Sequence, residues 1–127
     1  MNMVDLTDKN FDETVAEAGV VVVECWAGWC RACKTFAPIF ERVAESFPNH
    51  TFAKIDSQGE SVLIEKLGIE FIPSLLLYRD GILLFKQPGY YEEEQLKQIV
   101  RQAETLDMDL VRADIADEAE IRRSELH

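Results

Sequence analysis

The sequence has 127 residues, 47% of them hydrophobic, and its 24 acidic and 13 basic side chains give a formal net charge of −11. This length and hydrophobic content suit one domain with its own core and argue against a disordered chain, which combines low hydrophobicity with high charge. The acidic balance argues against binding to nucleic acid or to an anionic membrane surface, because the negative field of the protein repels both.

The first two thirds of the chain alternate predicted strands and helices. Residues 20–25 form a continuous, mostly β-branched apolar run, which is typical of a strand buried on both faces. Residues 34–47 carry apolar side chains on one helical face, with Pro38 inside the predicted helix. The elements predicted up to residue 67 are, in order, a weak strand at 3–6, a helix from Asp8 that ends at Gly19, a strand over 20–25, a helix over 34–47, a strand over 51–56 and a helix over 60–67.

The connections then change character. Two apolar strands, 74–78 and 82–86, are separated by Arg79-Asp80-Gly81, and Asp-Gly between such runs indicates a tight hairpin. A helix over 92–103 follows, with acidic residues in its first turn. Crossover helices imply parallel strands, and the hairpin implies an antiparallel pair. The fold class predicted is therefore α/β, a mixed central sheet flanked by helices on both faces.

Residues 104–127 form a segment distinct from the domain over residues 1–103. The segment holds eight acidic and three basic residues and so contributes −5 of the net charge. A thin apolar stripe at helical spacing predicts a helix. This acidic C-terminal extension is either a helix lying loosely on the domain or a surface that docks a partner or a second copy.

Cys30 and Cys33 stand where a predicted buried strand gives way to a helix, in the stretch Trp26-Ala-Gly-Trp-Cys-Arg-Ala-Cys-Lys34. At this spacing across a first helical turn, the sulfurs are close enough to form a disulfide or to share a metal ion. The helix N-terminus and the charges of Arg31 and Lys34 favour the nucleophilic thiolate. Position predicts that Cys30 is the accessible attacking thiol and that Cys33, one turn into the helix, is the shielded resolving thiol.

The chain resembles the thioredoxin family over about residues 3–103, in an ordered set of motifs. The similar segments are Val21 to Cys30, Cys33-Lys34 with Ala37-Pro38, Ala53 to Asp56, Gly68 to Ser74, and Gly89 after the hairpin. The resemblance implies the thioredoxin fold and an enzyme that reduces protein disulfides through a Cys30–Cys33 dithiol–disulfide cycle. It implies no organic cofactor, and as partners it implies protein disulfide substrates and a reductase such as thioredoxin reductase.

The resemblance also implies roles for residues around the dithiol. Pro73 would be a cis-proline facing the cysteines, and the backbone of Ile72 would pair with an extended substrate peptide. The alternative for Pro73 is an ordinary trans proline in a turn. Trp26 is expected in the core beneath the site. The other residues expected at the substrate-binding surface are Trp29, Arg31, Ala32 and Gly89.

Glu24 lies six residues before Cys30, at the family's buried acid position, which is usually aspartate. A buried carboxyl has a raised pKa and can take the proton of the resolving thiol, and Lys54 on the adjacent strand would be its neighbour. Glu24 and Lys54 are therefore expected to be catalytic together with the two cysteines. The alternative for both is a buried ion pair, or a lysine that reaches solvent, without a role in the reaction.

Two departures from the family pattern affect the expected chemistry. The residues between the cysteines are Arg31-Ala32, where the family most often has Gly-Pro, and the added positive charge favours the reduced form. A stabilised reduced form makes the dithiol less reducing than a typical thioredoxin. Cys25 stands where an aromatic residue is commoner. Strand alternation places it on the face opposite Glu24, so it is expected to be a buried, inert thiol rather than a third redox group.

Two alternative functions concern the same segments of the chain. One is a thioredoxin-fold adaptor that binds a partner through the acidic C-terminal helix and has little turnover. The other is a metal site at Cys30 and Cys33, which lacks nearby ligands because tetrahedral zinc needs four and Cys25 points to the other face. We therefore expect no metal, and a monomer or weak dimer.

The cellular compartment is predicted from what the sequence lacks. Three cysteines are too few for the disulfide framework of a small secreted protein. The first residues lack the basic and apolar regions of a signal peptide, and the apolar runs are far too short for a membrane span. The expected location is the cytoplasm.

Overall fold

The computed structural model describes residues 3–125. Its strands are β1 (Met3–Asp5), β2 (Val20–Trp26), β3 (Thr51–Asp56), β4 (Ser74–Arg79) and β5 (Ile82–Pro88). Its helices are α1 (Phe11–Val15), α2 (Arg31–Ser46), α3 (Ser61–Lys66), α4 (Glu93–Glu104) and α5 (Met108–Glu125). The order of elements is the predicted one, including the helix predicted in the C-terminal extension, and the predicted α/β fold class is confirmed.

The five strands form one mixed sheet in the order β1-β3-β2-β4-β5. β1 and β2 both run parallel to β3, whereas β4 pairs antiparallel with β2 and with β5. The β4–β5 hairpin turns at Asp80 and Gly81, whose φ angles are 52° and 83°. These positive angles belong to a tight hairpin turn, where Asp and Gly are the favoured residues. β2 thus lies at the centre of the sheet, and the dithiol follows its carboxyl end.

Alternation along β2 supplies both faces of the sheet with apolar side chains. Val20 and Val22 join the cluster beneath α2 and α4, while Val21, Val23 and Cys25 join the cluster on the opposite face with residues of α1 and α3. All seven residues of β2 except Trp26 are buried. Burial of an apolar side chain of this size stabilises a fold by roughly 1.5–3 kcal/mol, so a two-sided strand is a strong anchor for the site that follows it.

Helix α2 begins at Arg31, earlier than the predicted residue 34. The apolar periodicity that marks the helix starts only at Phe36, whereas Cys30 caps the helix through its sulfur and so brings the cysteine pair into the first turn. The helix continues through Pro38, which has no N–H to donate within it. The cap therefore fixes where the first turn of α2 places the two cysteines.

The acidic C-terminal extension contains α5, and Met108 is its buried residue. The Asp107 carboxylate accepts hydrogen bonds from the backbone N–H groups of Asp109 and Leu110, which caps the helix. Arg112 lies 3.7 Å from the Asp80 carboxylate in the hairpin turn. The domain boundary at 103/104 stays a prediction, and residues 1–2 and 126–127 lie outside the described residues.

None of the helices within residues 3–125 is long and apolar enough to cross a membrane.

Candidate active site

Cys30 and Cys33 form a disulfide at the N-terminus of α2, with Cα atoms 5.3 Å apart. Cys30 is the N-cap residue of the helix, and its sulfur accepts a hydrogen bond from the Cys33 backbone N–H at 3.1 Å. The Cys30 N–H in turn donates to the Ala27 carbonyl at 3.1 Å. An N–H aimed at sulfur, together with the positive end of the helix dipole, stabilises negative charge on Cys30 once the disulfide is reduced.

The two cysteines are almost equally buried in this oxidised state, with 3% of Cys30 and 4% of Cys33 exposed. We expected Cys30 to be accessible and Cys33 to be shielded, but in the disulfide both are buried. Both cysteines belong to one cluster with Ala27, against which Trp26 and Ile72 pack. What distinguishes the cysteines is their surroundings. Cys30 receives the helix-capping N–H, and Cys33 lines a cavity.

That cavity, of about 220 Å³, extends from Cys33 to the buried Glu24 beneath the site. Its volume is enough for water molecules. Lys34 and Lys54 contribute to its lining, which also contains Trp26, Ala27, Gly28 and Ala37. The cavity therefore connects Cys33 with a titratable group of the core.

Glu24 is 1% exposed, and its Oε2 atom has no hydrogen-bond partner among the described residues. Burial raises the pKa of its carboxyl from 4.5 to about 7, with the positive charge of Lys54 lowering it and the negative charge of Glu41 raising it further. Glu24 is the direct partner of Lys54 in the parallel β2–β3 pairing. The carboxyl is thus poised to change its charge near neutral pH.

The loop before β4 brings Ile72 to the dithiol. The Ile72–Pro73 peptide bond is cis, and the side chain of Ile72 packs against the cluster that contains both cysteines. The Gly89 N–H donates to the Pro73 carbonyl at 2.8 Å, and Gly89 has a φ of 99°, a backbone conformation that only glycine adopts readily. This hydrogen bond connects the segment after β5 with the proline loop.

Trp29 and Arg31 flank Cys30 on the protein surface. The indole of Trp29 is 67% exposed, whereas Trp26 is half-buried and lines the cavity. Arg31 is exposed, and Ala32 is half-buried against the cysteines. Neither Arg31 nor Lys34 makes an ion pair with any residue in the range 3–125. The acidic protein therefore presents two uncompensated positive charges around its dithiol.

Cys25 is fully buried and lies on the sheet face opposite Glu24, as strand alternation predicts. Burial, together with the nearby charge of Glu24, raises the pKa of its thiol to about 12. A thiol with so high a pKa is protonated at neutral pH and is a poor nucleophile. These properties fit the inert role expected for Cys25.

Three parts of the site were missed by sequence reasoning. Ala27 accepts the hydrogen bond that positions Cys30, and Ala37 lines the cavity. Glu41, about two helical turns after Cys33 on α2, raises the pKa of Glu24 through its negative charge. The small residues give no sequence signal of their own. Glu41 has one, since it lies eight residues after Cys33 and so close to the same helical face.

Within residues 3–125, no group of three or more His, Cys, Asp or Glu side chains is arranged to hold a metal ion.

A sequence model of the thioredoxin family matches residues 2–102. Among curated proteins, the putative thioredoxin 2 of Streptomyces coelicolor is 40% identical over 115 residues, which are 91% of this chain and 86% of that protein. The thioredoxin of Staphylococcus haemolyticus is 33% identical over 101 residues, which are 79% of this chain and 96% of that protein.

Solved structures show the same fold. A mutant thioredoxin from Halobacterium salinarum superposes with a TM-score of 0.76 at 25% sequence identity, over 83% of this chain and 93% of that one. A thioredoxin from Plasmodium falciparum superposes with a TM-score of 0.71 at 26% identity, over 79% of this chain and 97% of that one.

The Streptomyces protein is also similar to part of the acidic C-terminal extension. Of its 115 aligned residues, at most 103 can fall within residues 1–103, so at least 12 belong to the extension. The alignment with the Staphylococcus protein covers only 101 residues.

Proposed function

The chain belongs to the thioredoxin family and is a thiol–disulfide oxidoreductase, and we propose that it works in the direction of reducing disulfide bonds in other proteins. The observation that carries this proposal is the Cys30–Cys33 disulfide, which lies at a helix N-terminus with a backbone N–H directed at the sulfur of Cys30. A pair that closes within one helical turn accepts two electrons from a dithiol partner and passes them on without rearranging the fold.

In the first step, the Cys30 thiolate attacks one sulfur of the substrate disulfide. A bond forms between Cys30 and that sulfur, and the other substrate sulfur leaves as a thiolate. The Cys33 N–H and the N-terminus of α2 stabilise the Cys30 thiolate before the attack. Arg31 and Lys34 support it with positive charge.

In the second step, Cys33 loses its proton and attacks Cys30. The Cys30–Cys33 disulfide forms, the bond between Cys30 and the attacked substrate sulfur breaks, and that sulfur leaves as a thiolate. We assign the proton to Glu24, through water in the cavity that joins the two residues, because its pKa of about 7 makes it an effective base near neutral pH. Lys54 acts on this step by lowering the pKa of Glu24.

The substrate polypeptide binds in extended form beside the proline loop. Ile72 packs against the dithiol cluster and precedes the cis-proline Pro73, so a peptide that pairs with the Ile72 backbone would bring its disulfide to Cys30. Trp29 supplies an exposed aromatic surface next to Cys30, and we assign Arg31, Ala32 and Gly89 to the same substrate-binding surface.

The charge of Arg31 is expected to make the dithiol less reducing. Removing it in the Arg31→Gln variant should lower the reduction potential by roughly 10–20 mV, since an exposed charge contributes about 0.5–1 kcal/mol to thiolate stability. The potential is measured by equilibrium with a glutathione redox buffer. Lys9→Gln, which removes an exposed positive charge on the segment before α1, should leave the potential unchanged. An unchanged or higher potential in Arg31→Gln would contradict the assignment.

A reductase such as thioredoxin reductase would return two electrons and two protons to the disulfide after each cycle. The reaction would take place in the cytoplasm, where a reducing poise maintains dithiols and leaves a buried thiol such as Cys25 free. In that compartment the protein would serve in electron transport to protein disulfides and in cell redox homeostasis.

An insulin reduction assay with dithiothreitol as the electron donor tests the proposed function. The full chain should accelerate the precipitation of reduced insulin well above the rate with dithiothreitol alone. A rate equal to that background would reject a reductase role.

A second candidate function is an adaptor that binds a partner through the acidic C-terminal extension. It is favoured by the exposed apolar side chains of α5, Leu110 and Ile121, and by the similarity of part of the extension to the Streptomyces protein. If the protein is an adaptor, binding of the partner requires the acidic C-terminal extension, and turnover at the dithiol is negligible.

Removal of residues 107–127 distinguishes the two functions. We expect insulin reduction to stay within twofold of the full chain, and the free energy of unfolding to fall by about 2 kcal/mol, through loss of the buried Met108. Urea titration measures the stability of both proteins. Full insulin reduction by the truncated chain supports the reductase, whereas negligible turnover by both chains, with a complex captured only by the full chain, supports the adaptor.

A further inference from the structure

A second cavity lies beside the proline loop and does not include Glu24 in its lining. Its volume is about 200 Å³, and its lining comes from the loop before β4 and from the end of β5. The apolar part of this lining is formed by Ile69, Phe71 and Pro88. This pocket, called here the loop pocket, has no part in the thiol chemistry described above.

The loop pocket includes a large exposed aromatic side chain, that of Phe71. The residue is 64% exposed, although it is adjacent in the chain to Ile72, which packs against the dithiol cluster. A large exposed aromatic side chain is a frequent component of recognition surfaces, because its burial by a partner contributes much apolar area at a small cost in side-chain entropy. Phe71 therefore connects the dithiol region with the loop pocket.

The charged groups of the loop pocket indicate which side chains fit it. The ammonium group of Lys86, a residue of the lining, donates a hydrogen bond to the Leu67 carbonyl at 3.1 Å. Glu70, also in the lining, repels acidic side chains. An uncharged apolar group satisfies this lining better than a carboxylate does.

The spacing of residues in an extended substrate peptide allows an apolar side chain to reach the loop pocket. Phe71 is one residue, or about 3.8 Å, from Ile72 along the chain. Side chains two residues apart on a strand share a face and are separated by about 7 Å. The lining of the loop pocket includes Phe71 and Ser74, the residues on either side of Ile72 and Pro73, so a substrate strand paired at Ile72 would pass beside the pocket.

We propose that the loop pocket is a specificity site that receives a bulky apolar side chain of the substrate polypeptide, two residues from the cysteine that Cys30 attacks. Phe71, Ile69 and Pro88 contact this side chain, and Phe71 determines the preference. The proposal rests on the proposed reductase function, since it concerns substrates that bind at Ile72.

The test compares disulfide-linked peptide dimers that carry either Phe or Ser two residues before or after the cysteine. For the full chain, kcat/KM should be about 5- to 10-fold higher for the Phe peptide in at least one of the two positions, as expected from partial burial of one aromatic ring. In Phe71→Ala the preference should fall below about twofold, and in Phe71→Leu most of it should remain. Reduction of the small bis(hydroxyethyl) disulfide should be the same in all three proteins.

Leu110→Ala is the matched control, because Leu110 is 63% exposed and lies on α5 rather than in the loop pocket. This variant should keep the full preference. An equal rate on the Phe and Ser peptides with the full chain, or an undiminished preference in Phe71→Ala, would overturn the proposal while leaving the reductase function intact. Failure of the full chain to reduce any of these disulfides, including the small one, would instead reject the reductase function itself.

Discussion

Replacing Cys30 with serine is expected to lower the rate of insulin reduction by roughly 1000-fold, to the background rate of dithiothreitol. Cys30 receives the backbone N–H of Cys33 and caps α2, and it is the sulfur that the helix N-terminus can hold as a thiolate. A serine hydroxyl can still accept that hydrogen bond, so the helix cap and the fold should survive the substitution. Loss of activity would then report the missing nucleophile rather than unfolding.

The Cys33→Ser variant should fail at a later step. It retains the attacking thiolate but has no thiol to release the substrate, so it should accumulate a mixed disulfide between Cys30 and the substrate. Mass spectrometry of the quenched reaction detects this species. Cys25→Ala serves as the control, since Cys25 is buried on the opposite face of the sheet, and it should keep near-normal activity. Normal turnover by Cys30→Ser would contradict the assigned mechanism.

Replacing Glu24 with glutamine is expected to abolish much of the pH dependence of stability. The pKa of Glu24 is raised from 4.5 to about 7 in the folded protein, so its contribution to stability is complete below about pH 4.5 and is lost as the pH rises toward 7. A shift of this size corresponds to about 3 kcal/mol, because a charged carboxylate, with one oxygen that has no hydrogen-bond partner within residues 3–125, must then be kept in the core. Glutamine is neutral at every pH and avoids this loss.

Urea unfolding of the oxidised protein between about pH 5 and about pH 8 measures the effect. Relative to the natural sequence, Glu24→Gln should gain about 2–3 kcal/mol over this range. Glu41→Gln is the control, because Glu41 is an exposed carboxyl on α2 that acts on Glu24 only through its charge, and it should retain most of the slope. Parallel curves for Glu24→Gln and the natural sequence would show that the carboxyl does not titrate as described.

The same variant separates a proton-transfer role from a structural one. If Glu24 accepts the Cys33 proton, Glu24→Gln should slow release of the mixed disulfide while leaving its formation unchanged. Rapid-quench kinetics resolve the two steps. Equal slowing of both steps would point to a general disturbance of the site.

Local patterns were sufficient to predict most of the fold. The apolar run at 20–25 and the Asp-Gly turn at Asp80 and Gly81 encode a buried strand and a hairpin through backbone and burial preferences, and both are present. The start of α2 was placed three residues late. Its first turn is set by the sulfur of Cys30 acting as a cap, and cysteine is not among the residues that normally indicate an N-cap.

The site was only partly predictable because much of it depends on contacts across the sheet. The cysteine pair and its place before a helix follow from sequence order alone. The near-equal burial of Cys30 and Cys33 does not, since it results from packing against Ile72, which lies some forty residues away in the chain. The loop pocket likewise needs β5 beside the loop before β4, and no periodicity in either segment indicates that cavity.

The most direct test of the dithiol cycle is a single turnover of the reduced full chain with an equimolar oxidised protein substrate. The reaction is quenched by alkylation under denaturing conditions, and the cysteines are mapped by mass spectrometry. The account predicts one Cys30–Cys33 disulfide for each substrate disulfide reduced, with Cys25 recovered as an alkylated thiol. A product disulfide that includes Cys25, or substrate reduction without oxidation of Cys30 and Cys33, would contradict it.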